Sequence, residues 1–348
     1  MGDHVTGELS PEETHYWDGE PVGWQPLWLT PDDVLQAVRQ LYDLPVTAAY
    51  YLPAGLLNQS WRVTTGEQTW VLRVARSERS REQISYEHAS IRAFGEHLRF
   101  VAPPVPTRDG QTVADWKSRL LSLFPFVSGV AGTAVDPDVR SERAAVALAQ
   151  IHQVSVDRIR LPQRPGHRSV DEHPRWIWSN VRRVLIRDLA GMDDFDVLVE
   201  TFDHEMAALD TWLDTLRASG RPLRRALIHG DFNPRNLIFD DSTGGERSIR
   251  AVIDWDECHV DLLAWEVAQV AFGDNLVSPR TFWTTYLEAG GQLPPEDVDL
   301  LAGFRRVGMF SEVQWTVDGG RTNPRALAIL RDVASTLARL RHRETDLT

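Results

Sequence analysis

The sequence predicts a two-lobed α+β protein, and three observations carry that reading. Its 348 residues suffice for two domains or one large two-lobed unit. The front of the chain, residues 30–127, holds most of the β-branched and aromatic runs together with one internal helical pattern. The back, residues 128–348, reads as helices interrupted by short apolar strands that bracket a group of Asp and Asn residues. Residues 1–29 stand apart as a polar, acidic segment expected to be mobile.

Each element has a local cause. Thr30-Pro31-Asp32-Asp33 is a helix start, with a Thr cap, Pro at the first helical position and Asp three residues after the cap. That helix runs to about Tyr42 and stops before Pro45. Strands follow at 46–52, 61–65 and 69–73, separated by turns at Pro53-Ala54-Gly55 and Thr65-Gly66-Glu67. Residues 80–98 read as a helix with Ile84, Ile91 and Phe94 on one side, and strands return at 113–116 and 120–127. Beyond Ser128-Gly129, helices are expected from Asp136-Pro137 to His152, over 176–189 and over 195–216. Strand-like runs then bracket the polar group, and 259–341 is read as mostly helical.

Composition excludes more than it assigns. With 42% hydrophobic and 25% charged residues the chain is an ordinary globular sequence. No apolar run approaches the roughly 20 residues of a membrane helix, and the N-terminus lacks the apolar core of a signal peptide. Cys258 is the only cysteine, so no disulfide within the chain is possible, and a reducing cytoplasm fits. The net charge is −13, but residues 1–43 carry nine acids against Arg39 alone and so supply −8 of it. No basic stripe stands out, which disfavours nucleic acid. Lys117 is the only lysine; the other 36 basic side chains are arginines.

The chemistry concentrates in His229-Gly230-Asp231-Phe232-Asn233-Pro234-Arg235-Asn236 and Val252-Ile253-Asp254-Trp255-Asp256. An Asp, an Asn five residues later and a second Asp closing an apolar run form the set that phosphoryl transfer needs. One carboxylate orients the attacking hydroxyl and accepts its proton; the Asn and the second carboxylate hold the metal that bridges the phosphates. The spacing matches the protein-kinase catalytic loop, with His-Gly-Asp in place of His-Arg-Asp. By this reading Asp231 is the catalytic base, and Asn236 and Asp254 are Mg²⁺ ligands. Isolated Asp and Asn residues are ordinary turn formers; here strand-like runs on both sides put the two acids at strand ends.

This form of the motif resembles the aminoglycoside phosphotransferase family, kinase-like enzymes that phosphorylate small molecules. The resemblance covers about residues 46–340 and is most specific over 225–257. It implies a protein-kinase-like fold with a β-rich N-terminal nucleotide-binding lobe and a mainly helical C-terminal lobe. It also implies use of ATP and Mg²⁺. Gly55, Asn58 and Ser60 would belong to the loop over the phosphates, although only Gly55 is glycine there. In Trp70-Val71-Leu72-Arg73-Val74, Arg73 stands where the family usually has Lys, a departure because a guanidinium fork and an ammonium are not interchangeable. Glu87 is the candidate partner of Arg73, with Glu82 competing. Phe124 and Phe126 fall in the stretch resembling the hinge that meets adenine. Glu266 occupies the place of a later family Asp, which puts that structural contact in doubt.

The acceptor side is least legible. Trp176, Trp178, Asp171 and Glu172 could line a pocket or serve as core and surface; Asp256 and Glu257 could touch metal, acceptor or neither. The expected acceptor is a small-molecule hydroxyl, on an aminoglycoside or another hydroxylated antibiotic. The alternatives are a metabolic kinase for homoserine, choline or a sugar, and a nucleotide-binding pseudokinase module. A protein kinase is disfavoured because no Ala-Pro-Glu follows Asp254 at the expected distance.

Overall fold

The computed structural model describes residues 16–17, 20–21, 28–53, 58–242, 247–273, 278–318 and 321–343. The acidic segment expected to be mobile lies largely outside the described residues. Within it the backbone of β1 (Tyr16–Trp17) pairs antiparallel with β2 (Glu20–Pro21). Its end is anchored: the Trp28 amide donates to Gln59 Oε1 at 2.9 Å, and Leu29 is buried. The chain divides into two compact units, Met1–Gly129 and Val130–Thr348.

The first unit is a five-stranded antiparallel sheet with two helices. Helix α1 (Pro31–Tyr42) begins with the full capping box of Thr30 and Asp33 and ends at Asp43 in the left-handed conformation. The sheet runs in the order β3 (Ala48–Leu52), β4 (Gln59–Thr64), β5 (Thr69–Val74), β7 (Arg119–Pro125), β6 (Ala114–Trp116). Period-two burial on β4 sends Gln59, Trp61 and Val63 inward. Trp61 and Val63 join Leu72, Val74, Leu121 and Leu123, with Val34, Ala37 and Val38 of α1, in one core cluster. Helix α2 (Arg81–Gly95) is capped by Ser80 with Gln83 returning the bond. Strands β6 and β7 meet in a two-residue turn whose central residues, Lys117 and Ser118, have φ of 46° and 62°. Positive φ at both places suits the right-handed twist of a hairpin. Lys117 Nζ is 2.5 Å from Asp33 on α1.

The second unit is mainly helical. Asp136 caps α3 (Pro137–Arg158) by accepting from the amides of Asp138 and Val139. Helices α4 (His173–Leu189) and α5 (Phe195–Ala218) follow, with Trp178 of α4 packed against Phe202 of α5 at 5.1 Å between tilted rings. Short β8 (Val130–Ala131), β10 (Leu237–Phe239) and β11 (Ile249–Val252) make a three-stranded antiparallel sheet. Strand β9 (Arg225–Ile228) pairs with β12 (His259–Leu262), aligning Ile228 with His259 and Ala226 with Asp261. Residues 259–262 are therefore strand rather than the start of the expected helical stretch. The ladder to β9 overrides a sequence that alternates too briefly to show a period of two. Helix α6 (Leu263–Ala271) starts at once and is buried nearly all round. It packs on α8 (Leu301–Val313), while α7 (Pro279–Glu288) packs on α3 and α9 (Ala326–Arg343) closes on α8. Among the described residues no helix is long and apolar enough to cross a membrane.

Candidate active site

In the second unit, β9 delivers the chain into His229-Gly230-Asp231, and β10 and β11 return it to Asp254. Asp231 lies at the centre of a hydrogen-bonded loop. Its Oδ1 accepts from Asn233 Nδ2 and its Oδ2 from Asn236 Nδ2, both at 2.8 Å. Asn236 Nδ2 also reaches the Asp231 carbonyl at 2.8 Å, so one amide fixes both ends of that residue. The Asn236 carbonyl in turn accepts the Ile253 amide at 2.9 Å, which ties the loop to the residue just before Asp254. Asp254 is exposed and has φ of 61°. Asp tolerates this left-handed backbone better than most residues, and such outliers gather at functional sites.

His229, fully buried, makes the second tie. Its Nε2 donates to the Ile253 carbonyl at 3.0 Å and its Nδ1 accepts the Asp231 amide at 3.2 Å. Burial lowers its pKa, so it stays neutral and performs both roles with one proton. Gly230, with φ of 85°, follows because nothing larger fits: a Cβ there would lie 2.2 Å from the Glu257 carbonyl oxygen.

Asp231 keeps solvent-exposed surface, yet its carboxyl is pushed up to about 6. Desolvation by the surrounding chain is the main cause; the hydrogen bonds from Asn233 and Asn236 oppose it, and the charges of Asp256 and Glu257 add to it. Surface area and enclosure thus differ here. Enclosure governs the proton, because a rim opening on one side does not hydrate the whole carboxylate.

A buried chain supports this loop from below. Glu266 Oε1 accepts the Gly230 amide at 2.7 Å, and Glu266 Oε2 accepts from His152 Nε2 at 2.8 Å. His152 Nδ1 lies 2.8 Å from Tyr286 Oη, which itself accepts the Gln292 amide at 3.0 Å. The contact that the Glu-for-Asp replacement put in doubt is therefore made, with the longer side chain reaching the loop backbone. His152, Tyr286 and Gln292 were missed by sequence reasoning, since they lie on separate elements and share no local pattern.

The first unit holds the residues expected on the nucleotide side. Arg73 on β5 forms an ion pair with Glu87 on α2, the first of the two acids expected as its partner. Arg79 binds the other oxygen of Glu87 at 3.0 Å, so two guanidiniums share a carboxylate that is 1% exposed. Arg79 was not foreseen; it lies in a polar loop where no spacing marks it. Arg73 also sits over the Phe124 ring at 5.0 Å. Ser60 and Arg73 are cross-strand partners on β4 and β5, and Asn58 Oδ1 accepts the Arg76 amide at 3.3 Å. Phe126 is exposed at the end of the strand, its amide bonded to the Thr69 carbonyl. Gly55 lies outside the described residues. On the acceptor side, Trp178 is core, Trp176 is exposed, and Asp171 is engaged by Arg217 and Arg225.

A family model described as the phosphotransferase enzyme family matches residues 51–304. A search of curated proteins finds no match. Among solved structures, a spectinomycin phosphotransferase in complex with ADP and spectinomycin has a TM-score of 0.66 at 14% identity, over 90% of this chain and 99% of that one. A microcompartment-associated aminopropanol kinase gives 0.65 at 22% identity, over 90% and 97%. An amicoumacin kinase in complex with AMP-PNP and Ca²⁺ gives 0.60 at 17% identity, over 91% and 93%. These likenesses show the fold, a protein-kinase-like one with a β-sheet N-terminal region and a helical C-terminal region. With its family model spanning most of the sequence, including the Asp231 loop and Asp254, the chain belongs to the aminoglycoside phosphotransferase family of small-molecule kinases.

Proposed function

We propose that the chain transfers the γ-phosphoryl group of ATP to a hydroxyl of a small molecule, in a reaction that requires Mg²⁺. The hydrogen-bonded set Asp231–Asn236–Ile253 carries this reading, because it fixes an acid with a raised pKa beside the Asn236 side chain and ties both to the residue just before Asp254. At neutral pH the Asp231 carboxylate is ionised. It accepts a hydrogen bond from the acceptor hydroxyl and takes its proton as the new O–P bond forms and the bond to the bridging oxygen of the leaving ADP breaks.

The donor set suits Mg²⁺, which takes oxygen ligands. The Asn236 amide nitrogen is spent on Asp231, which leaves the carbonyl end of that side chain as the donor, and Asp254 supplies a carboxylate. Bound there, the ion would neutralise charge developing on the phosphates. In the first unit, Arg73 would contact phosphate oxygens while Glu87 and Arg79 set its angle, and Gly55, Asn58 and Ser60 would belong to the covering loop. Phe124 and Phe126 would flank the adenine.

For the acceptor we favour a hydroxylated antibiotic, in keeping with the spectinomycin and amicoumacin enzymes among the structural relatives. The aminopropanol kinase among them supports the metabolic alternative. The test is ADP release measured against a panel of aminoglycosides, spectinomycin, amino alcohols, homoserine, choline and sugars. Acceptor-dependent, Mg²⁺-dependent release that disappears in Asp231→Asn is expected. Tight ATP binding without release for any acceptor would replace the enzyme with a nucleotide-binding module.

A further inference from the structure

Away from the Asp231 loop, three side chains of the second unit gather in a cluster that the proposed phosphoryl transfer does not use. His259 and Asp261 lie on β12, and His167 lies in the segment between α3 and α4. Their ligand atoms all fall within 4.8 Å of one another. Asp261 Oδ2 is 3.6 Å from His167 Nε2 and 3.7 Å from His259 Nε2. A tetrahedral ion with bonds near 2.0–2.1 Å spaces its ligand atoms by roughly 3.3 Å, so the two distances from Asp261 Oδ2 are only slightly wider than such an ion requires, and the full span of 4.8 Å would close as it binds.

The outer contacts orient these groups as they would around a metal. His259 Nδ1 donates to the Glu257 carbonyl at 2.6 Å, which leaves the lone pair on Nε2 facing the cluster. That Nε2 is buried and has no hydrogen-bond partner among the described residues. A buried nitrogen without a partner costs stability unless something else satisfies it. Asp261 is held from outside: Oδ1 accepts from Arg225 at 2.7 Å and from the Leu262 amide at 2.8 Å, and Oδ2 accepts the Val170 amide at 2.8 Å. Histidine N–H bonded to a carbonyl, and a carboxylate steered by its own donors, are the usual outer partners of metal ligands.

We propose that His167, His259 and Asp261 bind one divalent transition-metal ion of the zinc class, with water as the fourth ligand. Two imidazoles and one carboxylate are a donor set such ions take. The rings stack at 3.6 Å with 26° between their planes, so with His259 held by its Glu257 bond the His167 ring must turn out of the stack to point its lone pair at the ion. His167 keeps 14% of its side chain at the surface and is the one placed to turn. The ion would clamp the segment before α4 onto β12. That segment already leans on β12 through Gln163, which bonds both the amide and the carbonyl of Val260. Since β12 pairs with β9, the clamp would stiffen the strand that leads into Asp231.

The test uses tag-free, EDTA-stripped full-length protein in saturating Mg²⁺, titrated with Zn²⁺ and with Co²⁺ as a spectroscopic probe. We expect one equivalent of each to bind, visible bands of four-coordinate Co²⁺, and a Zn²⁺-dependent rise of a few degrees in the unfolding midpoint. His167→Ala should weaken binding by more than the roughly 10–100-fold that losing an outer partner costs, with its metal-free midpoint near that of the parent. His259→Gln should do the same. Asp254→Ala should bind Zn²⁺ as the parent does, which separates this site from the one proposed for Mg²⁺. Absence of stoichiometric binding by the parent, parent-like binding by both histidine variants, or loss of binding in Asp254→Ala would overturn the assignment.

Discussion

The acids Glu87 and Asp231 are both central to their units, and their surroundings are opposite. Glu87 is sealed in the first unit between two guanidiniums, Arg73 and Arg79. Asp231 stands at the rim of the second unit's loop, and its hydrogen bonds come from the neutral amides of Asn233 and Asn236. Full cationic pairing keeps an acid charged and fixed in place. Neutral donors position an acid without satisfying its charge, and desolvation then lifts its proton affinity into the range useful for a base. Under the proposed function, the first arrangement would hold a cation for phosphate and the second would serve as a proton acceptor.

The most severe way to break the comparison is at Asp231. Asp231→Asn should lower kcat by about 10²–10⁴-fold while leaving ATP affinity near that of the parent, read by steady-state kinetics and calorimetry. The stability sign also follows. A carboxyl raised to about 6 binds more protons folded than unfolded between roughly pH 4 and 6, so its charged form detracts from stability as pH rises through that window. The Asn variant should therefore melt higher than the parent at pH 8 and lose that advantage near pH 4. A variant with parental turnover would remove Asp231 from the chemistry.

Glu87 should fail differently. Glu87→Ala leaves two guanidiniums without their buried partner, and breaking such a pair costs about 3–5 kcal/mol. Denaturant unfolding should show that loss together with a raised KM for ATP, whereas Asp231→Asn should show neither. A milder perturbation is Glu266→Gln, which retains one acceptor for the Gly230 amide and weakens the bond from His152. About 1–3 kcal/mol of stability and a modest fall in kcat at unchanged KM for ATP are expected; a change in KM alone would show that the network does not act through the Asp231 loop. The smallest effect sharpens the comparison in the unmutated protein. If the carboxylate is the active form, kcat/KM should be level above about pH 7, fall to half near pH 6 and approach a tenfold drop per unit below about pH 5. A profile that stays flat to pH 5 would contradict the raised proton affinity.

What was legible in the sequence is local. The capping box at Thr30 and Asp33 forms as its residues dictate, and Asp231, Asn236 and Asp254 lie within short motifs whose spacing alone suggests the chemistry proposed for them. What escaped either lacks a local pattern or depends on distance along the chain. Arg79 meets Glu87 through a loop with no period, and His152 reaches Glu266 across 114 positions. Strand β12 was hidden because four residues give no periodicity and its pairing with β9 is non-local. His167 and Asp261 meet for the same reason. Arg73 was visible as a departure from the family's lysine, but its cationic neighbour was not.

That departure bears on how the protein can be labelled. Reagents that acylate amines, including nucleotide analogues built to tag the phosphate-side lysine of kinases, find no such target at Arg73. The one lysine, Lys117, sits in the turn between β6 and β7 beside Asp33, and the single thiol, Cys258, is buried. Proteome surveys that identify kinases by lysine capture would pass over this enzyme. The same scarcity makes Lys117, with the N-terminal amine, a ready handle for attaching the protein to a surface or dye while leaving Arg73 and Asp231 unmodified.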